Sequence, residues 1–346
     1  MAGQWEQPTI REGIDDVIAL EFIGLLAMLT AAAALLSYGA EELAERYGAN
    51  FTGSIVLAVI TTMPEYMFVI WACLKGRHDM AVGSAVGACT LLITLGYGSV
   101  ILLATTRMSR RPVKVVELSK ATQVDALYLL VTALVAFGLA WEGNGFDGKD
   151  AAILIFLFLA YVVHVAKGAV TYARENPGAS HARTGLQKSM GFLLAGGAAI
   201  FFFSGPFVDS MIEVAETLKI SPVTVAIILG PLASEMPEKI TAYITVIRNG
   251  KLAEISVCNF IGSKVNHNSL LLGTIPIIAL LQGKAGVSGI ISLPFIIMTA
   301  LTVVATVSLS RRRLERWEGV MFMLLYVSVI WGAFHLGTGV LPAGHG

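Results

Sequence analysis

Two copies of the tripeptide Met-Pro-Glu, at residues 63–65 and 236–238, lie inside long apolar stretches, one in each half of the chain. A carboxylate in hydrocarbon is energetically costly, and such residues usually face a bundle interior or a water-filled cavity. The proline beside each glutamate removes a backbone hydrogen bond and opens the helix at that depth. The duplication therefore predicts an ion site built from broken helices that belong to two related halves.

The composition is typical of a membrane protein. Of the 346 residues, 55% are hydrophobic and 14% are charged, whereas a soluble domain has ~25% charged residues. The apolar residues occur in blocks, and ~20 such residues cross a bilayer as a helix. The predicted fold class is therefore all-α, a polytopic membrane protein whose partners are membrane lipid and inorganic cations. The net charge is zero and no basic patch with interleaved aromatic residues occurs, so nucleic acid is not expected.

Ten transmembrane helices are predicted from the apolar blocks. Most of the 24 lysines and arginines fall in the loops after the first, third, fifth, seventh and ninth helices. Because these residues collect on the cytoplasmic side, both termini are expected to lie outside. The loops are short, which favours a prokaryotic inner (plasma) membrane. The predicted segments are 17–40, 51–74, 80–104, 123–141, 150–172, 188–218, 222–247, 252–282, 287–309 and 317–336.

The two halves of the chain have the same order of features. Each Met-Pro-Glu is followed by a short basic loop and then by a helix that contains glycine, with Gly83 and Gly87 in the first half and Gly262 in the second. Small residues let helices approach closely, so we expect these helices to pack against the broken ones. Five helices in each half would invert the second copy relative to the first, as in many secondary transporters.

The predicted domains follow this duplication. The first five-helix half covers 1–173 and contains α-repeat 1 at about 51–104. A cytoplasmic linker covers 174–187. The second half covers 188–346 and contains α-repeat 2 at about 222–282. Because inverted-repeat transporters bind their ions near the membrane midplane at the repeat interface, the two Pro-Glu breaks are expected to meet there.

The residues around the two breaks suit a hard divalent cation. Glu65 and Glu238 provide two negative charges, which match one divalent ion and offset the cost of burying them. Calcium takes about six to eight oxygen ligands, including carboxylates and backbone carbonyls of the kind that the prolines free. When the ion leaves, the two carboxylates repel each other, so the empty pocket must take sodium ions or protons. Neutral oxygen ligands are expected from Thr61, Thr62, Ser234 and Asn259.

The chain resembles the calcium/cation antiporter superfamily, which includes the sodium/calcium exchangers, over nearly its whole length. The resemblance implies two inverted α-repeats, a calcium site at Glu65 and Glu238, and sodium or calcium ligands among the neighbouring hydroxyls and carbonyls. It also implies that the first and sixth helices slide past the core during transport. The matching residues are Gly53, Ala58, Thr61, Pro64 and Glu65 in the first repeat and Ser234, Pro237, Glu238, Gly262 and Ser263 in the second.

The chain departs from the family pattern in the two helices that follow the breaks. In the first repeat, Ala88, Cys89 and Leu92 occupy the stretch that carries polar residues in the family. In the second repeat, Lys264 replaces an asparagine and His267 takes the later ligand position. These departures remove polar ligands that the resemblance would otherwise imply for sodium.

The second repeat also gains an acid, because Glu235 stands where the family has a serine. Glu235 and Ser263 are expected to join the cation ligands. Alternatively, Glu235 pairs with Lys239, one turn further on, or with Lys264.

Three residues of the second repeat form a candidate site for a coupling ion or a proton. Lys264 could replace a bound monovalent ion, or it could be a salt-bridge partner that never meets one. His267 could carry a proton, or it could be satisfied by neighbouring helices. Asn266, which precedes His267, is grouped with them.

The predicted function is a secondary active antiporter that exchanges calcium, or another divalent cation, for sodium. The alternatives are a calcium/proton antiporter and, less favoured, a non-coupled cation channel of the same fold. No HExxH zinc motif and no GxSxG elbow occurs, so neither enzyme activity nor a cofactor is expected.

Overall fold

The computed structural model describes residues 8–176, 183–217 and 235–337, and these are nearly all helical. The helical class predicted from the sequence is therefore confirmed. In chain order the elements are α1 (Pro8–Tyr47), α2 (Ala49–Phe51), a first π-helical segment (Thr52–Leu57), α3 (Ala58–Thr61), α4 (Met63–Leu74), α5 (His78–Leu91), a second π-helical segment (Leu92–Gly96), α6 (Tyr97–Thr105), β1 (Val116–Glu117), α7 (Lys120–Gly143), β2 (Gly145–Asp147), α8 (Gly148–Glu175), α9 (Arg183–Thr217), α10 (Met236–Arg248), a 3-10 turn (Gly250–Leu252), α11 (Ala253–Asn266), a third π-helical segment (His267–Leu271), α12 (Leu272–Leu281), β3 (Gly286–Ser288), α13 (Leu293–Ser310), β4 (Arg313–Leu314) and α14 (Arg316–Gly337).

Six helices in the described residues are long and apolar enough to cross a membrane, and a bent pair makes a seventh if it is one span. The ten predicted helices are therefore not all recovered by length and composition. Residues 222–234 of the predicted seventh helix lie outside the described residues. The six are Leu20–Tyr47, Ala81–Thr105, Lys120–Gly143, Gly148–Glu175, Leu186–Phe203 and Leu293–Ser310, and the bent pair is Ala49–Thr61 with Met63–Leu74.

Both Met-Pro-Glu tripeptides lie at the start of a helix. The first break falls at Thr62, and the helices on either side of it are bent by 41°. Proline has no N–H to donate to the preceding turn, so the chain restarts a helix at that point. Glu65 and Glu238 both lie in the first turn of the new helix, α4 and α10 respectively. Partial positive charge at a helix N-terminus favours a carboxylate there.

Helix α11 is central to the fold. Every residue from Ile255 to Asn266 is buried, polar side chains included. Such a helix has no apolar stripe to face lipid, so it must be surrounded by other helices. It packs against the first π-helical segment and against α3, α7 and α10. The polar residues of this helix are therefore held in the interior.

Gly262 and Gly53 make the closest contacts between α11 and the first π-helical segment. A Cβ added at Gly262 would lie 2.0 Å from the carbonyl oxygen of Ser54, and one at Gly53 would lie 2.5 Å from that of Ile255. The predicted close approach at Gly262 is confirmed. The same prediction for Gly83 is wrong, because a Cβ there would meet nothing within 4 Å.

Gly262→Ala is expected to lower stability by ~1–3 kcal/mol, because the added methyl group forces two backbones apart. The matched control is Gly83→Ala, which has open space and should gain up to about 1 kcal/mol from better helix propensity. The thermal unfolding midpoints of both variants in detergent measure the difference. An equal midpoint for Gly262→Ala and the unsubstituted protein would contradict the packing described here.

Two short antiparallel ladders connect loops from the two halves of the chain. β1, in the loop after α6, pairs with β4, in the loop before α14. β2, in the loop before α8, pairs with β3, in the loop before α13. Each ladder thus connects a loop from the first half of the sequence to one from the second half.

The second ladder leads directly into α8. The side chain of Asp147 accepts hydrogen bonds from the backbone N–H groups of Lys149 and Asp150 and caps this helix. Those bonds lower the pKa of Asp147, because they stabilise its ionised form.

Candidate cation site

The carboxylate of Glu65 contacts the imidazole of His267. Glu65 Oε2 lies 2.5 Å from His267 Nε2, and both side chains are essentially fully buried. Glu65 comes from the first turn of α4, and His267 opens the third π-helical segment directly after α11. Glu65 of the first predicted repeat thus contacts His267 of the second in the protein interior.

Glu235 completes a buried group with these two residues. One ligand atom from each of Glu65, Glu235 and His267 lies within 4.8 Å of the others. Glu65 Oε1 and both carboxylate oxygens of Glu235 have no hydrogen-bond donor among the described residues. Ligand atoms at this spacing can surround one cation, since calcium–oxygen distances are ~2.3–2.6 Å.

Glu238 occupies a second position in the same region. Its Oε1 accepts a hydrogen bond from Ser263 Oγ at 2.5 Å, and both residues are buried. Glu238 is within electrostatic range of Glu65 and Glu235. The structure therefore brings together the two glutamates on which the sequence prediction depends, together with Glu235 and Ser263.

Two buried lysines accompany the three carboxylates. Lys264 is fully buried, and it is within electrostatic range of Glu65 and Glu235. Lys239 is also buried and experiences the charges of all three glutamates. Charges at such depth are retained where opposite charges compensate them. From the sequence, Lys239 is expected only as an ion-pair partner of Glu235, so its place in the cluster is a finding of the structure.

The two threonines at the first break are bonded to their own helix. Thr61 Oγ1 donates to the carbonyl of Leu57 at 2.9 Å, and Thr62 Oγ1 donates to that of Ala58 at 2.8 Å. Each hydroxyl oxygen keeps lone pairs that can accept a hydrogen bond or bind a cation.

The hydroxyl oxygen of Thr62 also accepts a hydrogen bond, from the side chain of Asn266. Asn266 Nδ2 donates to Thr62 Oγ1 at 3.2 Å, and the Asn266 carbonyl oxygen accepts from the Tyr66 hydroxyl. Asn266 therefore joins α11 to both sides of the first break. These two hydrogen bonds were not predicted from the sequence, because nothing in the local pattern around Tyr66 distinguishes it from a core aromatic residue.

Asn259 and Ser234 complete the predicted ligands. Both amide atoms of Asn259 are buried without a hydrogen-bond partner among the described residues. Such an amide is costly to bury unless another group satisfies it. Ser234 lies outside the described residues.

The positions that departed from the family pattern face each other. Cys89 Sγ lies 3.4 Å from Asn268 Oδ1, and the Lys264 side chain approaches the same cysteine. Leu92 opens the second π-helical segment, as His267 opens the third. The first predicted repeat therefore contributes thiol and apolar groups where the second predicted repeat contributes charged ones.

A buried carboxylate outside the cluster was also missed by the sequence analysis. Asp125 Oδ2, on α7, accepts hydrogen bonds from Asn50, Ser54 and Tyr161 at 2.5, 2.6 and 3.2 Å. Its place near the start of an apolar block gave no sign of burial. The network ties α7 and α8 to the first π-helical segment, which carries Ser54.

The fold and this buried cluster of carboxylates define a polytopic membrane protein of the ion-transport class. The family model for the sodium/calcium exchanger protein matches residues 17–167 and 188–334. The chain therefore belongs to the sodium/calcium exchanger protein family, and this membership supports the class of cation antiporter.

Similar proteins come from several prokaryotes. An uncharacterized membrane protein of Methanocaldococcus jannaschii is 23% identical over 84% of this chain and 90% of its own length. The inner membrane protein YrbG of Escherichia coli is 26% identical over 74% of this chain and 78% of its own length. The putative antiporter CaxA of Alkalimonas amylolytica is 24% identical over 88% of this chain and 94% of its own length.

The fold matches that of a solved exchanger. The structure of the sodium-calcium exchanger NCX_Mj superposes with a TM-score of 0.76 and 19% identity, covering 91% of this chain and 98% of the exchanger. The sequence-based prediction of an exchanger-like membrane fold is thus confirmed.

Proposed function

We propose that this protein is an antiporter that exchanges a divalent cation for protons, and that calcium is the preferred divalent cation. The observation that carries the proposal is the buried group of Glu65, Glu235 and His267, which is joined electrostatically by Glu238. Buried carboxylate oxygens that lack a hydrogen-bond donor among the described residues are available to bind a cation in the membrane interior. Asn259, Ser263 and Thr61 are proposed as neutral ligands, together with Ser234, which lies outside the described residues.

The choice of the proton rests on the ligands that the site offers. Sodium needs neutral oxygens, and the first repeat supplies Ala88, Cys89 and Leu92 where the family resemblance implies polar groups. In the second repeat the ammonium group of Lys264 occupies the corresponding region. Fewer neutral oxygens are then left for sodium than the family resemblance implies, whereas the glutamates and His267 are groups that can carry protons.

Charge balance is consistent with this exchange, and two sodium ions would satisfy it equally. Three carboxylates face two ammonium groups and one histidine in a medium that penalises net charge. Entry of one divalent ion as two protons leave keeps the total charge of the cluster constant. A site that must hold one species or the other performs exchange instead of leak.

Sodium coupling is the second candidate. Family membership favours it, as does the fold match to a protein whose name specifies sodium-calcium exchange. In that case Lys264 and His267 would be structural partners of the carboxylates, and sodium would use the hydroxyls near the first break.

The proposed architecture is the predicted set of ten helices in two inverted halves, 1–173 and 188–346, joined by the linker at 174–187. The two ladders support it. An inverted duplication would relate the loops of β1 and β2 to those of β3 and β4, and each ladder pairs members of the two sets. The second and third π-helical segments also stand at related positions, 92–96 and 267–271.

The proposed location is a prokaryotic inner membrane with both termini outside. The lysine and arginine bias supports this orientation. One relative is named as an inner membrane protein of Escherichia coli, which supports the membrane.

Alternating access is proposed to come from movement of α1 and α9 against the other helices. These two helices pack extensively on each other. On one face of the membrane, Arg248 of α10 pairs with Glu41 of α1 at 2.7 Å, and Ser37 bonds with Thr245 at 2.8 Å. Breaking these links would release α1 from α10.

Uptake into proteoliposomes tests the proposal. Vesicles containing the purified protein receive radiolabelled calcium under an imposed proton gradient without sodium, and in parallel under a sodium gradient at equal pH on both sides. Uptake driven by the proton gradient alone is the expected result. Uptake driven only by sodium would establish the second candidate, and uptake that ignores both gradients would indicate a channel.

A further inference from the structure

An open groove of about 700 Å³ lies between the loop that follows α6 and the start of α14. It is on the lysine- and arginine-rich face of the protein. Three cations, Arg107, Lys114 and Arg316, line it together with one acid, Glu315, which leaves a net charge of +2 (three minus one). The groove is separate from the buried carboxylate cluster.

The loop that forms one wall is held in place by backbone hydrogen bonds. Val113 N donates to the Ala104 carbonyl at 2.9 Å, and Arg110 N donates to the Ile247 carbonyl at 2.8 Å. The β1–β4 ladder fixes the same loop to the segment that precedes α14. A preformed site loses less entropy when it binds a ligand.

Thr105, the last residue of the apolar span Ala81–Thr105, lines the groove, and the end of such a span is where the headgroups of a bilayer are expected. Trp317 lines the groove and is 52% exposed, and the guanidinium of Arg311 lies 5.2 Å from the centre of its ring. Tryptophan is enriched at membrane–water interfaces, with basic residues just outside. Met108, which follows Arg107 on the same loop, is 66% exposed and offers an apolar surface there.

We propose that this groove binds the phosphate headgroup of an anionic phospholipid. The phosphate would lie between Arg107, Lys114 and Arg316, and the acyl chains would run past Trp317 and Met108. Arg316 is already oriented, because its guanidinium donates to the Thr105 carbonyl. Adjacent apolar and cationic surfaces suit a lipid, whereas a soluble phosphate would use only the cations.

A bound lipid would act on helices that carry the cation site. Ser109 Oγ donates to the Val246 carbonyl at 2.8 Å, and Gly250 N donates to the Arg111 carbonyl at 3.1 Å. Residues 246–250 end α10 and lead to α11. The loop under the lipid is thus bonded to the turn between the helix of Glu238 and the helix of Ser263.

Native mass spectrometry of the full chain in detergent, titrated with phosphatidylglycerol or with phosphatidylcholine, tests the proposal. The unsubstituted protein is expected to prefer phosphatidylglycerol. The double variant Arg107→Gln/Lys114→Gln should bind it about thirtyfold more weakly, since each cation near an anionic lipid contributes about fivefold. Glu315→Gln should bind it about fivefold more tightly, a gain that misfolding cannot produce.

The matched control is Lys120→Gln/Lys251→Gln, which removes two exposed lysines from the same face outside the groove. It should stay within about twofold of the unsubstituted protein. An equal loss in this control would overturn the proposal in favour of general surface charge. An unchanged affinity in Glu315→Gln, or displacement of the lipid by millimolar inorganic phosphate, would also overturn it.

Discussion

Glu65→Gln is expected to reduce calcium exchange to the level of protein-free liposomes while the protein still folds and inserts. The amide keeps the shape of the side chain but removes a negative charge that contacts His267 and faces Glu235. Removal of one charged partner from a buried binding contact costs ~2–5 kcal/mol of binding free energy, which corresponds to a loss of at least about thirtyfold in cation affinity. Glu238→Gln should have the same effect, since its carboxylate belongs to the same cluster. Radiolabelled calcium flux into proteoliposomes, at equal amounts of reconstituted protein, is the measurement.

The control for this prediction is Glu142→Gln, which makes the same chemical change at an exposed position at the end of α7. Its flux should equal that of the unsubstituted protein. Normal transport by either Glu65→Gln or Glu238→Gln would contradict the assignment of the cation site. A loss of flux accompanied by aggregation would be recognised by size-exclusion chromatography before reconstitution.

Lys264→Asn is expected to create sodium-driven calcium flux, at least about tenfold above that of the unsubstituted protein under the same sodium gradient. The substitution removes a buried ammonium group beside Glu65 and Glu235 and supplies a neutral oxygen ligand. A shift of 1.4 kcal/mol in sodium binding is enough for a tenfold change, and the removal of a neighbouring positive charge should exceed that.

The measurement is calcium uptake as a function of sodium concentration at fixed pH. Lys251→Asn is the matched control, because it changes an exposed lysine just before α11. This control should show no new sodium response. If Lys264→Asn has the same ion dependence as the unsubstituted protein, Lys264 has only a structural role.

Much of the fold and part of the site could be predicted from local patterns. The break at Thr62, the placement of Glu65 and Glu238 in a first helical turn, and their burial all follow from proline and acid in an apolar block. A proline acts on the turn that contains it, so its effect can be read without knowing the neighbours.

The contacts between helices could not be predicted in the same way. Whether His267 faces Glu65, and whether Cys89 faces Lys264, depends on how the helices rotate and pack against one another. Gly83 illustrates the limit, because it lies, like Gly262, in the helix that follows a Met-Pro-Glu break, while its surroundings are open. Lys239 and Asp125 were missed for the same reason, since burial of a single charge is decided by tertiary contacts.

The two ladders have a consequence for how the protein can move. They attach the ends of α6, α7, α8, α12, α13 and α14 to one another, whereas α1 and α9 take no part in either ladder. On the proposed movement of α1 and α9, the work of switching between inward- and outward-facing states is concentrated at the surface between these two helices and the rest of the bundle. Substitutions on that surface should change turnover rate and leave ion affinity untouched, so speed and selectivity could evolve separately in this protein.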